Sequence, residues 1–423
     1  MYKQVTARAF SSGFVHVFLA NIVSQLVAFC GSIFYVRLLG QSQFGIYTFS
    51  YTIISFFLLM NGFGAASGVL QFVSRANDDI TRLSYLKYSI ILGIVFNCGL
   101  SVGIFLYANL IPLPIVGTKK ILCLMAFFPI GRLYIDVFQA YLRATLQNQL
   151  LAKFAISTNL LLLVSNIVGI YYAGLMGFIV STYISYALVI LLSTFIYKLP
   201  NVFRVRQIKL NLKEFISYSM YVTLGNAFAQ LLFILDILIL GYVLKNPVTI
   251  GIYKVATVIP FAINFIPGVV STFFYPYFAK NADNFLYVKQ LKHKLQRGMF
   301  IFSFATSIFL IILAKPIITI IFGDAYLDSV LAFQILAFGF WILATFRNIN
   351  GNILAALGHA KFAMWQNVFV VTINIFLTYF MVRYWGIIGS AIGVVIIYTL
   401  SGTIAGIALK QFLKPKLGYM KIV

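Results

Sequence analysis

The chain has 423 residues, of which 62% are hydrophobic and 9% charged, with a mean hydropathy of +0.98. Most of its length has no polar face to offer water, which excludes a soluble globular protein and points to lipid. The formal charge of +23 (31 Lys and Arg against 8 Asp and Glu) is spread over many short segments; with no coherent basic face, nucleic acid is excluded as a partner.

Twelve apolar segments have spanning length, against the roughly 20 residues a helix needs to cross the hydrocarbon core. They lie near 14–36, 44–66, 87–107, 121–140, 154–173, 176–197, 216–242, 249–272, 299–314, 329–346, 362–382 and 387–409. Ten-residue alternating strands are absent, so helices are the spanning element. The first segment is too long for a signal-peptide core and is expected to be retained. It carries Asn21 and Gln25 on one stripe, with Arg37 just beyond its outer end. The fourth holds Arg132 and Asp136, four residues apart and so within reach on one helix face. Both an internal ion pair and a cavity role are open for them.

The stretch Lys198–Lys213 (KLPNVFRVRQIKLNLK) breaks the apolar pattern with five cations and a proline. The expected organisation is an N-terminal six-helix bundle over 1–197, a cytoplasmic linker over 198–215, and a C-terminal six-helix bundle over 216–423 that ends in a basic tail. In the second half, Asn226 and Gln230 share one stripe, and Asp236 and Lys254 are expected at similar depth, able to pair. The ninth segment is interrupted by Lys315 and Pro316. Arg347 is placed at the inner end of the tenth, within RNINGN, where it either receives an anionic headgroup or simply obeys the charge rule. Two loops, Gln71–Ser84 and Asn281–Arg297, read as short amphipathic helices at the inner surface.

The two halves repeat one another. Asn21, Gln25 and Leu26 read N-x-x-x-Q-L, and Asn226, Gln230 and Leu231 repeat the pattern 205 residues later. Leu39, Gly40, Gly45, Ile46 and Tyr47 reappear as Leu240, Gly241, Gly251, Ile252 and Tyr253. Lys153 and Phe154 match Lys361 and Phe362; Gly174, Gly177 and Tyr186 match Gly386, Gly389 and Tyr398. A membrane protein made of two repeats in the same order has a transporter's signature. The polar stripes are either facing walls or interhelical bonds worth about 0.6 kcal/mol each. The repeated tyrosines Tyr47 and Tyr253 are candidates for stacking on sugar rings.

With the N-terminus inside, 23 of the 31 cations fall on cytoplasmic segments, which predicts both termini in the cytoplasm. Cys30, Cys98 and Cys123 lie in spans without ligand spacing and read as packing residues. His16, His293 and His359 have no Cys or carboxylate partners at ligand spacing. No P-loop and no nucleophile elbow occurs. Neither enzyme chemistry, a metal nor a cofactor is therefore expected. Asp136 and Asp236 are the acidic residues at membrane depth, hence the candidates for ion coupling.

RLLGQSQFGIYTFSYTI (37–53), NGFGAAS (61–67), LRATLQNQLLAKF (142–154), DILILGYVLKNPVTIGIYKVATVIP (236–260), IFGDAYLDSV (321–330), NILAALGHAKF (352–362) and YWGIIGSAIG (384–393) carry a resemblance to a known family. It covers about residues 10–412. The chain resembles the polysaccharide repeat-unit flippases of the Wzx type, in the superfamily that also holds the multidrug and toxic-compound extruders (MATE) and the lipid II flippases. The resemblance implies an all-α integral membrane protein with two pseudo-symmetric six-helix bundles around a central cavity. It implies a flip of undecaprenyl-pyrophosphate-linked oligosaccharide from the cytoplasmic to the external leaflet of the bacterial inner membrane, for O-antigen or capsule. The implied partners are the lipid-linked substrate, the bilayer, a coupling ion (H+ or Na+), and polymerase and chain-length proteins. Arg37, Arg132, Lys254 and Arg347 are the cations available for a pyrophosphate, and Asn21, Gln25, Asn226 and Gln230 the polar lining. The alternatives are a cation-coupled drug antiporter, which wants acidic cavity residues, and a lipid-linked-sugar polymerase, which wants paired carboxylates or a large external loop.

Overall fold

The computed structural model describes residues 14–195 and 210–413, so both termini and most of the expected linker lie outside the described residues. Among these residues secondary structure is helical, with no strand. The chain divides into two compact units, Met1–Gln230 and Leu231–Val423.

The first unit contains α1 (Phe14–Leu58), a 3-10 turn (Asn61–Gly64), α2 (Ala65–Arg75), α3 (Asp79–Leu110), α4 (Thr118–Met125), α5 (Phe128–Ala144), α6 (Asn148–Phe195) and nearly all of α7 (Leu212–Leu231). The second contains α8 (Leu235–Leu244), α9 (Pro247–Ile263), α10 (Phe265–Lys280), α11 (Phe285–Ile312), α12 (Ala314–Ile321), α13 (Val330–Ile342), a π-helical turn (Leu343–Arg347), α14 (Asn348–Ala356) and α15 (Ala360–Phe412).

Among the described residues seven stretches are long and apolar enough to cross a membrane, or up to nine if each of two bent pairs is one span. Three of them are 57, 48 and 52 residues long, enough for two crossings each, and this reconciles nine with the twelve expected. The reversals sit on glycine. Gly40, Gly174 and Gly386 interrupt α1, α6 and α15 with φ of 67°, 54° and 56°, a region that costs other residues steric strain. Gly174 and Gly386 are a repeated pair, and three residues on the repeat has a second function. A Cβ on Gly177 would strike the carbonyl oxygen of Gly169, and one on Gly389 that of Met381. The two arms of each hairpin thus approach at backbone distance, as small residues permit between helices in lipid.

Several boundaries differ from expectation. The fourth span is bent by 45° between α4 and α5, and the seventh by 53° between α7 and α8. Neither basic loop is a separate surface helix: Gln71–Arg75 ends α2, Arg82 lies in the first turn of α3, and Phe285–Arg297 is the first half of α11. These helices run past the apolar window because Lys and Arg keep their charged heads in water while their stems cover apolar surface. At the start of α3, Asp78 caps the helix by accepting from the Thr81 amide and hydroxyl, both at 2.7 Å, which holds its carboxyl below the ordinary range. Cys30 and Cys98 are exposed, so they do not pack the bundle.

In the first unit, Phe72 of α2, Tyr85 of α3 and Phe215 of α7 form an aromatic cluster with centroids 5.3 to 5.7 Å apart. Gly64 and Gly68 meet Ser219 and Phe215 of α7 so closely that a side chain at either would collide. In the second unit Phe278, Leu295, Met299, Phe340, Ile353 and Leu409 form the main core.

Candidate functional site

In each unit a polar constellation surrounds an arginine in the fourth span of that half. In the first, the turn Asn61–Gly64 breaks the second span, with Phe63 in the left-handed region (φ 53°). Such a conformation costs a bulky residue about 1–3 kcal/mol. The freed Gly62 amide donates to Asn97 Oδ1 at 2.7 Å, and Asn97 Nδ2 donates to the Pro129 carbonyl and to Asn61 Oδ1, each at 2.7 Å. Asn97 is completely buried, so these partners are what make an amide tolerable there. Asn61 Nδ2 donates to Asp136 Oδ2 at 2.9 Å, and Arg132 Nε lies 3.0 Å from Asp136 Oδ1. Of the two readings left open for them, the ion pair is formed. The Arg132 side chain is nevertheless 49% exposed, and its terminal nitrogens have no partner among the described residues.

In the second unit the break is at Asn264, between α9 and α10. Asn348 Nδ2 donates to Asn264 Oδ1 at 2.9 Å, so Asn348 takes the role that Asp136 has in the first unit. The preceding residue, Arg347, closes the π-helical turn, a feature frequent at functional sites because it re-aims side chains. Its guanidinium carbon lies 5.3 Å from the Phe233 ring centroid and 5.8 Å from that of Tyr398, with Nε 3.3 Å from Ser401 Oγ. Gln366 Nε2 donates to the Ser401 carbonyl at 2.8 Å. A cavity of about 180 Å³ is lined by Arg347, Asn348, Asn352, Gln366, Asn367 and Ser401 among others, with no carboxylate. The helix does not end at Arg347, which was expected at the inner end of its span. Nine helical residues follow it, about 13 Å of rise. The apolar window closed early because amides, satisfied inside the unit, read as a loop.

The other candidates are distributed as follows. Asp236 is 1% exposed and accepts from Tyr253 Oη at 2.9 Å and the Ile237 amide at 2.8 Å. Asp236 and Lys254, expected to be able to pair in one state and separate in another, are not paired here, where the phenol holds the carboxylate; the ion pairs among the described residues are Arg82–Asp79 and Arg132–Asp136. Tyr253 is fully buried and offers no ring face to a sugar; Tyr47 packs 4.7 Å from Phe178 and 5.7 Å from Tyr51. Asn21 and Gln25 on α1, and Asn226 and Gln230 on α7, are exposed without a hydrogen bond to a described residue, and Arg37 is exposed at the end of its span. Tyr186 and Tyr398 recur beside the arginine helices: Tyr186 lies against Gly131, where a Cβ would strike its ring, and Tyr398 lies under Arg347. Sequence reasoning missed Asn97 and Asn264. Single amides within apolar spans were their only signal.

A family described as polysaccharide biosynthesis protein matches residues 34–331. No curated protein matches the chain. Among solved structures it is similar to the inward-facing conformation of a multidrug resistance MATE family transporter of the MOP superfamily, at 14% identity and TM-score 0.74, covering 96% of this chain and 100% of that one. It is similar to lipid II flippase MurJ in an inward closed conformation, at 16% identity and TM-score 0.72, covering 94% and 89%. A MOP superfamily transporter from Pyrococcus furiosus, described as having a binding pocket of reverse polarity, matches at 12% identity and TM-score 0.66, with 95% of each chain covered. At these identities the likeness establishes the fold, that of the MOP superfamily.

Proposed function

The chain belongs to the polysaccharide biosynthesis protein family, and from that premise we propose that it is a flippase carrying a lipid-linked oligosaccharide across the membrane. In this reading the cargo is an undecaprenyl-pyrophosphate-linked repeat unit for O-antigen or capsule, moved from the cytoplasmic to the external leaflet of the bacterial inner membrane. Alternating exposure of the arginine sites to the two sides moves it, without ATP hydrolysis or other enzyme chemistry. Both termini face the cytoplasm, and the product passes to polymerase and chain-length proteins.

The observation that supports this best is Arg347: a cation within a span, re-aimed by a π-helical turn into an amide-lined cavity that holds no acidic group. A charge at such depth costs about 2.5–3.5 kcal/mol on the insertion scale and persists where it serves a pathway. A planar guanidinium suits a phosphate oxygen pair. Arg132, with its exposed terminal nitrogens, Lys254 and Arg37 complete the cationic set; Asn21, Gln25, Asn226 and Gln230, exposed and uncommitted to described partners, provide lining for sugar hydroxyls. An inside-negative potential favours outward movement of an anion by about 2.3 kcal/mol per charge per 100 mV. Deletion in a strain without a parallel route should leave lipid-linked units facing inward. Normal surface polymer in that strain would overturn the reading.

Asp236 favours a coupling ion, H+ or Na+, because a carboxylate buried against one phenol and one amide has room in its chemistry for a cation. Asp136, already held by Arg132 and Asn61, suits that role less. The same Asp236 is what a cation-coupled drug antiporter would use. Raised drug susceptibility in the deletion strain, with surface polymer intact, would transfer the proposal to that activity.

A further inference from the structure

The first half of α11 carries a basic face that the transport reading does not use. Val288, Leu295, Met299 and Ser303 of this helix are buried toward the unit core. On the opposite side Leu286, Lys289, His293, Lys294, Arg297 and Ile301, all of this one helix, form a single open face. Lys289, His293, Lys294 and Arg297 are exposed, and none makes an ion pair or hydrogen bond with a described residue. The corresponding third span of the first half, α3, begins differently, with Arg82 held by Asp79 at 3.0 Å. No acidic residue occurs within α11; the nearest in sequence, Asp283, precedes it and pairs with none of these cations.

Further along, the same face turns apolar. Ile301 is 60% exposed, followed by exposed Phe304 and Ile308. At the boundary Gly298 faces open space, where an added Cβ would meet nothing within 4 Å. A surface that passes from basic to apolar along one helix, facing away from the protein core, is complementary to an amphiphile with an anionic head. The cations from Lys289 to Arg297 extend over about 12 Å of helix axis, too far for one phosphate to bridge.

We propose that this helix face binds an anionic phospholipid of the cytoplasmic leaflet whose headgroup carries two phosphates, held by Lys289, His293, Lys294 and Arg297, with its acyl chains lying over Gly298 and Ile301. Basic pockets on the cytoplasmic side of membrane helices are recognised sites for such headgroups. The face looks away from the unit core and from the cavity at Arg347, so its occupant is a resident lipid rather than cargo. The inference stands independently of the cargo proposed above.

The test uses the purified full chain with tetraoleoyl cardiolipin and dioleoyl phosphatidylglycerol at equal phosphate, read by native mass spectrometry and by thermal unfolding. Saturable binding with at least about tenfold preference for cardiolipin is expected, weakened by salt. The triple variant Lys289→Gln/Lys294→Gln/Arg297→Gln should lose that preference, while Lys119→Gln/Lys120→Gln, on the other expected side, should keep it. Should the triple variant fail to fold, Lys294→Gln and Arg297→Gln singly should each reduce the preference. Equal response to both lipids, no effect of any of these neutralisations, or binding of a short-chain prenyl diphosphate in place of cardiolipin would each overturn the proposal.

Discussion

The two units build the same kind of site and charge it differently. In the first, a kink asparagine (Asn61) meets an aspartate (Asp136) that is already paired with Arg132. In the second, Asn264 meets Asn348, and among the described residues the Arg347 side chain has an Oγ and two aromatic faces as partners and no carboxylate. One unit therefore offers a compensated cation and the other an uncompensated one. Two things differ: an aspartate, Asp136, stands where the second unit has Asn348, and the arginine lies four residues before the one but directly before the other, at the end of a π-helical turn. Each unit still has a broken span, an arginine on its fourth span and a repeated tyrosine, Tyr186 or Tyr398, beside it. Charge and local backbone both diverge at the two breaks, a left-handed 3-10 turn in one and a π-helical turn in the other; what persists is the glycine geometry of the hairpins at Gly174 and Gly386.

The strongest way to break this comparison is at Arg347. Losing a hydrogen bond to a charged group costs about 1.5–3 kcal/mol, so Arg347→Gln should lower flipping by roughly 10- to 100-fold at unchanged protein level. Arg347→Lys, which keeps the charge without the planar fork, should fall between. Flipping of a fluorescent prenyl-pyrophosphate-linked sugar in vesicles measures both; near-normal rates for Arg347→Gln would remove the second unit's claim to the anion.

The shared scaffold makes a matched prediction. Gly177→Ala and Gly389→Ala each push a methyl group into a facing carbonyl oxygen. Each should destabilise its hairpin by about 1–3 kcal/mol, the usual range for overpacking. Thermal unfolding in detergent should show similar losses for the two. A large cost at one and none at the other would mean that the repeat has not kept its geometry.

Those glycines were legible in the sequence because a backbone requirement leaves a residue-specific mark that recurs after duplication. The number of crossings was legible for a similar reason, since apolar length is set by the bilayer. The site was less so. RNINGN looked like the end of a span because four polar residues in six resemble a loop, and only tertiary partners such as Asn264 and Gly402 show them to be helix interior. Asn97 left no pattern at all, one amide among apolar residues, although it joins the Gly62 amide, the Pro129 carbonyl and Asn61. The start of α11 was hidden by the charges that give it its outer face.

A smaller effect is expected from transferring the charge of one unit to the other. Asn348→Asp puts a carboxylate on the wall of the cavity that contains Arg347. Competition for the guanidinium, together with repulsion of an incoming anion, should weaken apparent affinity for the lipid-linked substrate about tenfold, which corresponds to about 1.4 kcal/mol. Raising ionic strength should narrow the gap if it arises through the field, since screening acts on exposed charges. A variant that binds like the wild type would show that the cavity does not meet the anion.

The mildest substitution asks whether Arg132 is silent or merely restrained. Asp136→Asn leaves a side chain that can still meet Asn61, as Asn348 meets Asn264, so the fold has a precedent within the same chain. The pair it removes is half-exposed on the arginine side, and such pairs are worth about 0–1 kcal/mol. Stability should therefore barely change. If the first unit plays no part in receiving the anion, transport should change less than about threefold, within what that range of pair energies allows. If Arg132 is held in reserve, releasing it should tighten substrate affinity by a similar factor, and the gain should vanish in Asp136→Asn/Arg132→Gln. A collapse of transport in Asp136→Asn fits neither case: it would mean that the aspartate itself acts, and that the two units differ in chemistry rather than in degree of compensation.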